Sequence, residues 1–125
     1  MVNYESWSDF ELNLAASKFV KFEGLTLLGD EYKEEVTIVE VFDWGVQAVG
    51  KFDPCNDWGD LMPLVVESEI QLNTQKAKRP DGRGRHSAYN LDIRINHGDD
   101  KSLNRAAVAC FIDTQLTKIK ASANA

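Results

Sequence analysis

The sequence predicts an α+β domain: a mainly antiparallel sheet of four to five strands, with two to three helices packed on one face. Three observations carry this. Residues 35–42 are a β-branched run. Residues 8–21 open on a helix-capping signal and continue with apolar residues at helical spacing. Several of the strands are separated by short turns rather than helices, which favours antiparallel pairing over βαβ winding. At 125 residues the chain is read as a single domain, 1–125.

The elements follow in order. Ser8 and Glu11 form a capping box, and Trp7 stands where it can staple onto Leu12. Leu12, Ala15, Ala16, Phe19 and Val20 share one face, so a helix is expected over 9–21, closed near Gly24. Leu25–Leu28 reads as a short strand and Gly29-Asp30 as a turn. Glu35–Phe42 reads as a strand, Asp43–Gly45 as a hairpin turn, and Val46–Phe52 as the return strand, with a bulge signalled by Gly50. Asn56 or Asp57 can cap a helix reaching Glu67, with Leu61, Leu64 and Val65 as its apolar side; Pro63 calls for a kink or a late start. Ile70–Asn73 reads as a strand. Residues 74–87 read as a long flexible loop around the Pro80-Asp81-Gly82 turn signal. Tyr89–Ile95 alternates with period two and reads as a strand, followed by a turn at 97–100. Asp100 or Ser102 can cap a last helix with Leu103, Ala106, Ala107, Cys110, Phe111 and Leu116 on its apolar stripe, ahead of a small tail at 121–125.

Charge is distributed unevenly. The chain holds 14 Lys+Arg against 20 Asp+Glu, a formal net charge of −6. Residues 1–75 hold 15 acids and four bases; residues 76–125 hold ten bases and five acids. This acidity argues against general duplex-DNA binding, whose affinity rests on phosphate neutralisation. No apolar run approaches the ~20 residues a membrane-spanning helix needs. The first residues lack the basic and apolar segments of a secretory signal, which points to a reducing cytoplasmic setting with Cys55 and Cys110 as free thiols.

Asp53, Asn56, Asp57 and Asp60 crowd one segment, but the calcium-loop pattern fails at Cys55 and Trp58, so turn and cap roles are expected. Cys55, His86, His97 and Cys110 lack the paired spacing of a zinc site. No nucleophile elbow is present, and Cys110 sits on an apolar face, where it behaves as a small hydrophobe. Gly82-Arg83-Gly84 lacks the spacing of a phosphate loop. No cofactor and no metal are implied. Lys76, Lys78, Arg79, Arg83, Arg85 and His86 form a basic cluster able to grip an anionic partner or ligand, with Arg94 and Tyr89 or Trp58 assisting, or to dock on the acidic face of a second copy. Trp44 and Trp58 lie in turns, where an indole most often plugs the core; if exposed, they mark a binding surface.

Three segments resemble a known family. These are Ser8-Asp-Phe-Glu-Leu12; Phe52-Asp-Pro-Cys-Asn-Asp-Trp58 with Pro63-Leu-Val-Val-Glu67 and Ile70; and Arg105-Ala-Ala-Val-Ala-Cys-Phe111. In order and spacing they resemble the phage NinX-like family of small accessory proteins, over most of the chain except residues 74–99. Cys55-Asn56 stands where the family pattern usually has Ser-Thr, and Leu103-Asn-Arg-Ala106 where it often has Pro-Leu-Arg-Ala. The resemblance implies an accessory protein of a phage or prophage, made in the cytoplasm of an infected bacterial host. It carries over no catalytic residues.

Three functions are expected, in descending order. The first is binding to a host protein, as a counter-defence or host-modulating factor, through acidic surface that complements a basic partner. The second is capture of a small anionic nucleotide or signalling molecule by the basic loop. The third is a metal-dependent hydrolase built on the carboxylates around Asp57.

Overall fold

The computed structural model describes residues 3–74, 86–99 and 101–123. A single 3-10 turn at Tyr4–Ser6 precedes α1 (Asp9–Ser17). Then come β1 (Thr26–Asp30), β2 (Glu35–Phe42), β3 (Gly45–Phe52), α2 (Trp58–Glu67), β4 (Gln71–Thr74), β5 (His86–Asn90), β6 (Ile95–Asp99) and α3 (Leu103–Ala123). The α+β class is as expected. The strands form two sheets rather than one, β1-β2-β3 and β4-β5-β6, both antiparallel. We refer to them as the first and second sheets.

The helices start where capping chemistry places them. Ser8 Oγ accepts from Glu11 N while Glu11 Oε1 accepts from Ser8 N, closing the expected capping box. α1 ends earlier than expected, at Ser17, whose hydroxyl donates back to Leu14 O at 2.6 Å. Asp57 caps α2 by accepting from Gly59 N and Asp60 N. At the other end, Glu69 N donates to Val66 O and Ile70 N to Val65 O, a Schellman closure with Glu69 at φ 53°. Ser102 Oγ accepts from Arg105 N at the start of α3, and the segment expected to be a small tail is helical through Ala123.

The first sheet follows the sequence closely. β2 has the expected bounds, and the register shift between Ile38 and Val39 leaves Val49 as the extra residue beside Gly50. Gly29 and Asp30 belong to β1 and pair with Val36 and Glu35, so the turn falls after them. The second sheet departs from expectation. The alternating run Tyr89–Ile95 is not one strand: β5 ends at Asn90, residues 91–94 turn, and β6 begins at Ile95. Asn90 causes the break. Its Oδ1 accepts from Asp92 N, its Nδ2 donates to Ser68 O, and Arg94 closes the turn at φ 55°. Consequently His97-Gly98-Asp99, expected as a turn, lies in β6. Thr74, His86 and Ser87, expected in the long loop, lie in β4 and β5; residues 75–85 are outside the described residues.

α3 packs across the second sheet and against α1 and α2, while α1 also covers β2 of the first sheet. Leu12, Ala16, Val36, Phe52, Leu61, Ala88 and the run Ala106–Ile112 form one core, with both cysteines buried in it. Gly29 lets α1 cross closely: a Cβ there would stand 2.6 Å from Leu14 Cδ1, the far end of a side chain that would have to shift.

Candidate functional site

The three segments that carry the family resemblance meet in space. Arg105 of α3 is buried; its Nε donates to Asp99 Oδ2 at 3.0 Å and its Nη1 to Asp9 Oδ1. Its Nη2 donates to the carbonyl oxygens of Tyr4, Glu5 and Trp7. Burial pushes the guanidinium down, but the bonds and charges of Asp9 and Asp99 outweigh it and the pKa is raised. Alongside, Asn13 Nδ2 donates to Asp53 Oδ1 at 2.7 Å, Cys55 N donates to Asn13 Oδ1, and Asn104 Nδ2 donates to Pro54 O. Asn56 Nδ2 bridges Asp9 and Asp53. Residues about 100 apart in sequence are thus locked into one hub whose donors and acceptors satisfy each other.

The hub also settles the role of the acidic segment. Asp53 accepts from two asparagines, Asp57 caps α2, and Asp60 Oδ2 accepts from Asp53 N at 2.9 Å. Burial raises the Asp60 pKa, opposed by that backbone bond and reinforced by Asp57 and Asp53. Among the described residues no group of three or more His, Cys, Asp or Glu is arranged to hold a metal ion. The cysteines serve the core. Burial pushes the Cys110 thiol up to about 12, and burial followed by the Asp9 charge pushes Cys55 higher still. Both are therefore protonated thiols at neutral pH, the wrong state for a nucleophile. His97 is tied instead to Asp113, which accepts from its Nε2 and, at 2.6 Å, from the Tyr4 hydroxyl.

The residues singled out from the sequence fall in three places. Asp57 and Trp58 stand at the start of α2, both exposed. Trp58 is not a core plug: it is 48% exposed, and Met62 (41%) and Val66 (70%) follow it in steps of four along the same side of the helix. Trp44 is likewise out of the core. His86 opens β5, its Nδ1 3.0 Å from Thr74 Oγ1 on β4. Arg94, eight residues after His86, lines an open groove of about 550 Å³ with Asn73, Ser87, Tyr89, Leu91 and Asn96 on the second sheet. Lys76, Lys78, Arg79, Arg83 and Arg85 lie outside the described residues.

One site was not legible. A cleft of about 490 Å³ opens between the segment after α1 and the side of α2 that carries Gly59, Pro63 and Glu67. Phe19, Phe22, Phe52 and Phe111 line it, with edge-to-face contacts between Phe22 and Phe52 (6.3 Å) and between Phe19 and Phe111 (6.4 Å). Lys18 and Lys21 stand on one side, Asp60 and Glu67 on the other. Its paired rings come from segments 30 and 92 residues apart, beyond the reach of any local pattern.

No protein-family model, no curated protein and no solved structure matches the chain. The described residues form an α+β fold of two three-stranded antiparallel sheets and three α-helices. Among the described residues no helix is long and apolar enough to cross a membrane.

Proposed function

We propose that the protein acts by binding another protein, as a phage or prophage accessory factor that engages a basic host protein in the infected cell, in a counter-defence or host-modulating role. The observation that carries this reading is the outer side of α2. Trp58, Met62 and Val66 form an exposed apolar stripe on a helix whose adjoining side, Leu61, Leu64 and Val65, is already in the core. A helix that is apolar nearly all round is normally buried all round. The exposed Asp57, Glu67 and Glu69 flank the stripe, which suits apolar anchors bordered by Lys or Arg. The test is capture from bacterial lysate at moderate salt with the wild-type chain and with Trp58→Ala/Met62→Ala. A specific basic protein held by the wild type and lost by the variant supports the reading. Equal capture by both, or none by either, overturns it.

A second reading, capture of an anionic nucleotide or signalling molecule, is favoured by the groove on the second sheet. It brings Tyr89 and Arg94 together with polar Asn73, Ser87 and Asn96, on the sheet whose β4 and β5 flank the basic segment. This reading expects a thermal shift with a nucleotide panel that Arg94→Ala removes.

A further inference from the structure

β1 reaches only part of the way along β2. Asp30 pairs with Glu35 and Thr26 with Val39, and there the pairing ends. Beyond it β2 and β3 run on as a two-stranded ribbon, Glu40 against Gln47, Val41 against Val46 and Phe42 against Gly45. Such a ribbon is at best marginally stable in water when it stands alone. This one is apolar on both faces. Val41 and Val46 are exposed side by side on one, and the Phe42 ring stacks on Trp44 at 5.1 Å on the other. Trp44 is 73% exposed. The charges in the ribbon are Glu40 and Asp43, both acidic.

The aromatic cleft is its counterpart in shape and charge. It is concave and floored by phenylalanine rings, and its volume falls in the range of sites that enclose a ring-bearing ligand. Lys18 and Lys21 at its edge are two of the four bases in residues 1–75. We propose that the ribbon tip Phe42-Asp43-Trp44 of one copy seats in the cleft of a second copy. The indole lies on the phenylalanine floor and the Asp43 carboxylate meets Lys18 and Lys21. Asp60 and Glu67 across the cleft fix the orientation, because the reversed tip would set acid against acid. Exchanged reciprocally, the contact closes as a two-fold pair. It uses neither the α2 stripe nor a host partner, so it stands apart from the proposed function.

The test is sedimentation equilibrium of the full chain over the micromolar to millimolar range. A monomer–dimer equilibrium that weakens with salt is expected. Trp44→Ala and Lys18→Glu/Lys21→Glu, all at exposed positions, should each weaken dimerisation roughly tenfold or more, while Trp58→Ala leaves it unchanged. Mixing the two variants should restore pairing through the one intact tip and the one intact cleft. A chain that stays monomeric throughout overturns the proposal. So does a dimer that survives Lys18→Glu/Lys21→Glu, which would be tip against tip, and so does a mixture that fails to pair.

Discussion

The two sheets have the same strand number and pairing, and both place apolar residues on the core, Ala88, Leu72 and Ile95 in the second, but they differ in the polar ties added to that contact. The first sheet docks through apolar contact: Val36 and Phe52 are buried, Leu27 and Ile38 pack against the core, and Leu14 of α1 lies over Gly29. The second is in addition pinned by polar ties, Asn90 to Ser68, His97 to Asp113 and Asp99 to Arg105. Apolar contact is non-directional and tolerates small shifts. A buried hydrogen bond or ion pair is directional, and its loss strands the partner. The second sheet should therefore fail sharply at single positions, and the first should yield gradually.

Arg105→Ala is the strongest way to break this contrast. It leaves the buried Asp99 carboxylate unpaired and frees the carbonyls of the first residues, and should cost about 3–5 kcal/mol by urea denaturation. A cost below about 1 kcal/mol would remove the distinction between the sheets. Alkaline pH tests what the sheets share. Cys55, Cys110 and Tyr4 all have raised pKa values in the folded chain, mainly through burial. The unfolded chain releases thiol protons from about pH 8.5 upward while the folded chain keeps them, so stability is full below that pH and falls as pH rises. Each thiol contributes a slope of about 1.4 kcal/mol per pH unit, so the two remove roughly 2–3 kcal/mol between pH 9 and 10. Hydrogen exchange should show both sheets weakening together.

A smaller effect sharpens the picture of the first sheet. Gly29→Ala drives a methyl into the far end of the Leu14 side chain and should cost about 1 kcal/mol. Leu14→Ala in the same chain should relieve that clash, giving a favourable coupling in the double-mutant cycle. The smallest effect lies between the sheets. Glu69 occupies the left-handed position of the α2 closure, and Glu69→Gly should raise the urea midpoint by a stability gain of about 0.5 kcal/mol.

The same contrast explains what could be read from the sequence. Ser8 and Asp57 cap their helices because their neighbours need acceptors, which is local chemistry, and the β2 boundaries follow from a β-branched run. The strand expected over Tyr89–Ile95 failed because Asn90 is held by Ser68, a partner 22 residues away. The single sheet became two because pairing between distant strands has no local signature. Asp57 was legible as the cap of α2, whereas Trp58, expected to plug the core, is exposed. Met62 and Val66 could have been found from the same four-residue step. Arg105 also left a trace: a lone charge heading the apolar run Ala106–Ile112 calls for buried acids to meet it.

Arg105 has a consequence for biosynthesis. Its side chain gathers Tyr4, Glu5, Trp7 and Asp9, residues made some hundred peptide bonds earlier. On the ribosome, the opening turn and α1 have no guanidinium to close on until α3 emerges. Contacts of such sequence separation slow folding, so the nascent chain should carry its exposed apolar surface for most of its synthesis and lean on chaperones over that interval.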